Sequence, residues 1–139
     1  MEKKIILCLF LFFFIVGCGG DENNNLDQGT DYYYETGNEF IFSGHQKIKT
    51  GDFAGATEDF TKAIGELPDY AYAYGFRAWA KREAKDLQGA LTDINKAIEM
   101  KDNVSEFYLW RAEIYSDMGE DKLAQIDLGK AEELKRNLE

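Results

Sequence analysis

Small and apolar residues recur along this chain with a period of 34 positions. Ala56, Ala90 and Ala124 are 34 residues apart (90−56 and 124−90). Other positions keep the same spacing, namely Ala63, Ala97 and Ala131; Phe40, Tyr74 and Tyr108; Phe60, Ile94 and Leu128; Gly44, Ala78 and Ala112. Self-similarity at a fixed period of this length is typical of stacked repeat architectures. The pattern therefore predicts three copies of one structural unit.

The small residues indicate where two antiparallel helices approach each other closely, because a side chain there is absent or a single methyl. We expect the Gly44 position of each unit, on its first helix, to meet the Ala56 position on its second helix. The larger members of the pattern, including Phe60, Ile94 and Leu128, would fill the space on either side, since interiors are close-packed. They form the predicted core.

Cap signals locate the helices. Thr36 and Glu39 have the spacing of a capping box, which predicts that the first helix starts there. Gly119 predicts the end of a helix. The expected helices are 37–49, 53–66, 70–84, 87–101, 105–118 and 121–136, with Asp52, Asp69, Asp86 and Ser105 as N-caps.

The run Gly51-Asp52-Phe53-Ala54-Gly55-Ala56, with Pro68 after it and the 34-residue period around it, resembles the tetratricopeptide repeat (TPR) family. Lys85 and Asp121 depart from the family pattern, which has a glycine and an aromatic residue at these turns. The resemblance implies an all-α fold, a right-handed solenoid of helical hairpins, with repeats at 37–70, 71–104 and 105–139.

The last repeat differs from the others on the face that would meet a following repeat. Ile64 and Ile98 are succeeded there by Glu132, and Leu91 by Gln125. Terminal repeats need a polar outer face to stay soluble. We therefore expect three repeats that are self-capped by the last helix.

Two lysines and an apolar run from Ile5 to Val16 open the chain, and they predict a secretory signal peptide at 1–17. This run is too short for a membrane-spanning helix. The segment Ile15-Val16-Gly17-Cys18 resembles the bacterial lipobox, which implies lipidation of Cys18, palmitate among the acyl chains, and a lipoprotein of the cell envelope. The resemblance favours the outer membrane, because Gly19 follows the cysteine, with the protein facing either the periplasm or the outside. An ordinary signal cleaved nearby is the alternative.

Residues 18–36 have the composition of a flexible tether, rich in Gly, Asn and acidic residues. Tyr32, Tyr33 and Tyr34 interrupt it, either as a cap on the first helix or as an adhesive part of the linker. The formal net charge of −10 disfavours binding to nucleic acid or anionic lipid by the folded part.

In the TPR family the first helix of each repeat lines the concave groove. The resemblance places the partner-binding residues Ile41, His45, Tyr72, Trp79, Arg82 and Leu109 there, with Glu106, Glu113 and Asp117 making one end acidic. The Lys, Asn and Arg clamp with which known family members hold a terminal carboxylate is absent. We therefore expect a polypeptide partner with apolar anchors, basic near repeat 3.

Enzymatic activity is not expected, and neither is a cofactor or a metal site. His45 is the only histidine, and after signal cleavage the lipidated Cys18 would be the only cysteine, so His and Cys cannot form a zinc site or a catalytic pair. Asp59, Asp93 and Asp127 are expected to be solvated on the second helices. The predicted function is a membrane-anchored protein–protein interaction adaptor. The alternative is a binding lipoprotein that captures a small ligand or secreted peptide for a transporter or enzyme.

Overall fold

The computed structural model describes residues 28–137, whose regular structure is entirely helical. The helices are α1 (Gln28–Thr50), α2 (Phe53–Glu66), α3 (Ala71–Glu83), α4 (Leu87–Met100), α5 (Ser105–Asp117) and α6 (Asp121–Arg136). Each helix packs against the next along the chain, and α3 also contacts α5. The described residues thus form three helix pairs stacked in sequence order, which confirms the predicted all-α solenoid.

Helix α1 starts earlier than the sequence pattern predicts. It begins at Gln28, so Thr36 lies inside the helix and the predicted start at a capping box is wrong. Gly37 is buried in the interior of α1, where it lies against the side chain of Leu67. The helix can pass Leu67 closely because this glycine carries no side chain.

The N-terminal extension of α1 changes part of the predicted tether. Residues 28–36, including the backbone of Tyr32, Tyr33 and Tyr34, are helical. The signal peptide, Cys18 and the rest of the tether lie outside the described residues. No helix within residues 28–137 is long and apolar enough to cross a bilayer.

The turns within the helix pairs follow the cap signals. Asp52 and Asp86 cap α2 and α4 by accepting hydrogen bonds from the backbone N–H groups of Gly55 and Gly89, at 2.9 and 3.0 Å. By contrast, the N-cap residues of α3 and α5 are Tyr70 and Val104, so Asp69 and Ser105 do not cap these helices.

In one of the turns within the helix pairs, a residue other than glycine has a left-handed backbone conformation. Gly51, Lys85 and Gly119 precede α2, α4 and α6 with φ angles of 81°, 67° and 78°. Glycine adopts such angles readily, whereas a residue with a Cβ pays a steric cost. The turn before α4 is therefore strained relative to the equivalent turns of the other two repeats.

The core follows the periodic pattern in the first two repeats. Phe60 and Ile94 are fully buried, as are Ala56, Ala78 and Ala90. Gly44 lies against the ring of Phe60, since a Cβ at Gly44 would come within 2.7 Å of that ring.

The third member of the large series breaks the pattern. Leu128 is 36% exposed, so its assignment to the core is wrong. Its equivalents are covered by the following repeat, and no helix pair follows α6 within the described residues.

Candidate binding groove

The predicted groove runs along α1, α3 and α5, the first helices of the three pairs. Trp79 on α3 and Leu109 on α5 are partly buried, so each presents part of its surface to solvent. An indole and a leucine held in this way can bury apolar area against a ligand, and Trp is among the residue types that dominate binding energy at interfaces.

Ile41 and Tyr72 are also partly buried, but each is anchored in the core. Ile41 packs against a cluster formed by Ala56, Phe60 and Ala80. Tyr72 packs against the ring of Phe107 with a centroid distance of 4.9 Å. Core contacts therefore hold these two residues in place on the helices of the predicted groove.

His45 is held by contacts on two sides. Its Nδ1–H donates to the backbone oxygen of Ile41 at 2.7 Å, one helical turn earlier. Its ring packs edge-on against Phe60 and Phe76, with centroid distances of 5.4 and 4.4 Å. His45 therefore joins repeat 1 to repeat 2 through aromatic packing.

Arg82 is engaged with carboxylates of the next repeat. Its Nε donates to Asp117 at 2.7 Å and its Nη1 donates to Glu113 at 2.8 Å. Burial alone would lower the pKa of Arg82, but these carboxylates outweigh it and the pKa is raised. The guanidinium is consequently already neutralised, which leaves it poorly suited to gripping the carboxylate of a ligand.

The acidic end of the groove is only partly free. Glu106 is exposed near Tyr72, whose pKa is raised by burial and secondarily by the charge of Glu106. Glu113 keeps about half of its side chain exposed despite the ion pair with Arg82, at 53%. This end of the predicted groove therefore presents negative charge to solvent.

Close packing beneath the groove depends on one glycine. A Cβ on Gly75 would lie 2.8 Å from the indole of Trp110 and 3.2 Å from the ring of Phe107. Gly75 therefore allows α5 to approach α3, which sets the spacing of the second and third helices of the groove.

The repeated aspartates lie in the interior, so the prediction that they are solvated is wrong. Asp59, Asp93 and Asp127 are 3%, 4% and 2% exposed. Each accepts hydrogen bonds from the first helix of its own pair, from the residue 16 positions earlier: Ser43 Oγ to Asp59 (2.6 Å), Arg77 Nε and Nη2 to Asp93 (2.8 and 2.7 Å), and Arg111 Nε and Nη2 to Asp127 (both 2.7 Å). Lysines add ion pairs in the first two repeats, Lys47 to Asp59 and Lys81 to Asp93, both at 2.7 Å.

These ion pairs hold the first helix of each pair against the second. Burial alone would raise the pKa of Asp59, but the hydrogen bonds from Lys47 and Ser43 outweigh it and the pKa is lowered. The pKa of Arg111 is raised, chiefly by its hydrogen bond to Asp127. The 34-residue spacing of the aspartates, together with Arg77 and Arg111 16 positions before two of them, was the signal that could have revealed these pairs.

The two arginines of these pairs also connect successive repeats. Arg77 donates a further hydrogen bond to Thr61 of the preceding repeat at 3.2 Å, and Arg111 donates one to Asn95 at 2.9 Å.

Among residues 28–137 no group of three or more His, Cys, Asp or Glu side chains is arranged to hold a metal ion.

Comparison with known proteins agrees with this architecture. Residues 105–138 match the tetratricopeptide repeat family model. The structure resembles the first TPR domain of Spaghetti (RPAP3) bound to the HSP90 peptide SRMEEVD, with a TM-score of 0.70, 21% identity, and coverage of 74% of this chain and 82% of that one. The fold is that of a TPR domain.

Two further TPR structures are similar at 25% identity. The TPR2B domain of yeast Sti1 in complex with pHsp70 gives a TM-score of 0.71, covering 74% of this chain and 82% of that chain. The Arabidopsis OM64 TPR domain gives 0.70, covering 75% of this chain and 86% of that chain. No curated protein sequence matches the chain. The described residues thus share their fold with TPR domains of known structure.

Proposed function

We propose that this protein is a membrane-anchored adaptor of the bacterial cell envelope, which binds a polypeptide segment along α1, α3 and α5. The observation that carries the proposal is the exposed part of Trp79 on a fold whose solved neighbours hold peptides of HSP90 and HSP70. An open surface across stacked helices suits an extended or helical peptide better than a small molecule, which needs an enclosed pocket.

The chemistry of the groove favours a partner with apolar anchors and basic residues. Trp79 and Leu109 offer apolar surface, while Glu106 and Glu113 place negative charge near the third repeat. Arg82, the only arginine among the predicted groove residues, is already bound to Glu113 and Asp117. A ligand with acidic residues would be repelled by this end. We therefore expect this groove to disfavour a peptide such as SRMEEVD, which contains two glutamates and an aspartate.

The test for the groove is photo-crosslinking in native membranes. A benzophenone side chain at Trp79 is expected to capture a distinct protein, whereas the same probe at Glu132, an exposed position on α6, is not. Equal capture from both positions would refute a role for the groove. The captured segment, synthesised as a peptide, should bind more tightly than SRMEEVD and lose affinity on Trp79→Ala.

The anchoring part of the proposal rests on the lipobox-like segment that ends at Cys18. Two or more acyl chains on one protein give stable membrane residence, while a single chain gives only marginal binding. Cys18→Ser should abolish incorporation of labelled palmitate and release the protein from the membrane fraction. Cys8→Ser is the matched control, because Leu7 before it is too large for the cleavage site. Palmitate incorporation unaffected by Cys18→Ser would overturn the anchoring.

A further inference from the structure

An aromatic residue occupies the same position in all three first helices, but other described residues cover only two of the three. Phe42, Phe76 and Trp110 are 34 residues apart (76−42 and 110−76). Phe76 packs on Phe60 and His45 of the repeat before it, and Trp110 packs on Gly75 and Phe76. Phe42 is 67% exposed.

The surfaces that receive these aromatic residues form a second series, and the last of them is open within residues 28–137. In repeats 1 and 2 the receiving clusters contain Ala56 and Phe60, and then Ala90 and Ile94. The equivalent residues of repeat 3, Ala124 and Leu128, line an open groove of about 440 Å³. The other lining residues are Ala112, Glu113, Ser116, Asp121 and Gln125.

We propose that these two ends bind each other between copies of this chain, with Phe42 of one copy seated in the Ala112–Ala124–Leu128 groove of the next. This contact repeats the packing that already joins the repeats within one chain. Phe42 holds on α1 the position that Phe76 holds on α3 and Trp110 on α5. Such a contact joins different surfaces of the two copies, so it is heterologous and can extend to further copies.

Charge at the junction supports this register. In repeat 3, Asp117 contacts Arg82 of repeat 2 at 2.7 Å. Lys49 is the α1 residue equivalent to Asp117, and in the docked register it would face Ser116 beside the acidic Glu113. The junction therefore brings a cation to the acidic rim of the groove.

The same comparison predicts a weaker junction than the internal ones. Glu39 and Gln46 stand on α1 where α5 has the buried Phe107 and Ile114. Gly129 stands where Thr61 accepts a hydrogen bond from Arg77 in the first internal junction. The contact therefore rests mainly on Phe42, and we expect reversible association that rises with protein concentration.

The test uses two versions of the full chain in detergent micelles. The donor carries a benzophenone side chain at position 42 together with Leu128→Arg, so that its own groove is blocked. The acceptor carries Phe42→Glu and a native groove, and is labelled with ¹⁵N. We expect cross-links from donor position 42 to acceptor residues in the range 112–128, identified by mass spectrometry of the mixed-isotope peptides.

Two acceptor variants complete the test. Adding Leu128→Arg to the acceptor should reduce the cross-link by about tenfold, because an unpaired charge is then placed in the apolar contact. Adding Ile126→Arg should leave it unchanged, since Ile126 is 67% exposed on the same helix but does not line the groove. Cross-links within one chain, to residues 1–27 or elsewhere, or equal yields from the two variants, would overturn the proposal.

Discussion

Removal of the buried carboxylate of Asp93 tests how strongly the ion pairs hold the helices of the groove. Asp93 on α4 accepts two hydrogen bonds from Arg77 and forms an ion pair with Lys81, and both of these cations lie on α3. Its side chain is 5% exposed, while those of Arg77 and Lys81 are 18% and 21% exposed. Asp93→Ala therefore leaves two cations beside α4 without their partner.

The expected loss of stability follows from this partial exposure. Breaking a buried ion pair by removing one partner costs about 3–5 kcal/mol. Because both cations can recover some hydration, we expect about 2–4 kcal/mol for Asp93→Ala. Glu99→Ala is the matched control on the same helix, since its side chain is 72% exposed and forms an ion pair with Lys96, at 3.3 Å. An exposed pair of this kind contributes about 0–1 kcal/mol.

The assay is urea unfolding followed by far-ultraviolet circular dichroism at neutral pH, with the slope of the transition compared among the variants. A shift in the midpoint without a change in slope reports stability alone. If Asp93→Ala and Glu99→Ala lower the unfolding free energy equally, the buried pair does not stabilise the helix pair and the reasoning fails.

Three further predictions address single positions. Lys85→Gly should raise the unfolding free energy by about 0.5–1 kcal/mol in urea titrations, because φ there is 67°; an unchanged or lower value would contradict strain at this turn. Asp59 has a lowered pKa in the folded state, so stability should fall as the pH drops below the ordinary carboxyl value of 3.8. Asp59→Asn should flatten this dependence in acid titrations, and an identical acid slope would refute the role of the pair. Gly75→Ala should cost about 1–3 kcal/mol by crowding Trp110, with Gly129→Ala, which meets nothing within 4 Å, as a control that loses no stability.

Much of the fold could be predicted because the period is long and its small residues are unambiguous. Ala56 and Ala90 mark close helix contacts, and the structure buries both completely. Asp52 and Asp86 announce the starts of α2 and α4 through local hydrogen bonds, which depend only on neighbouring residues. Local chemistry of this kind can be read directly from the chain.

The start of α1 could not be predicted in the same way. Thr36 and Glu39 have the spacing of a cap, yet Gly37 lies inside the helix against Leu67, a contact 30 residues away in sequence. A cap pattern predicts the end of a helix correctly only where no tertiary contact extends the helix beyond it. A tertiary contact decided where this helix continues.

The buried aspartates could also be predicted only in part from the sequence. Their period was visible, but a carboxylate on a helix is normally solvated, and only the packing of α3 on α4 places Arg77 and Lys81 around Asp93. The groove residues were proposed from a resemblance, and the structure adds which of them are engaged: His45 with Ile41, and Arg82 with two carboxylates.

By itself the sequence determined the number of repeats, their all-helical class and most helix boundaries, because periodic spacing and caps are properties of neighbouring residues along the chain. The tertiary structure alone decided which charges are buried, which groove residues are held by other side chains, and which end surfaces of the stack are left uncovered by the described residues. Those properties depend on residues 16 to 35 positions apart coming into contact, and that occurs only once the helices have packed.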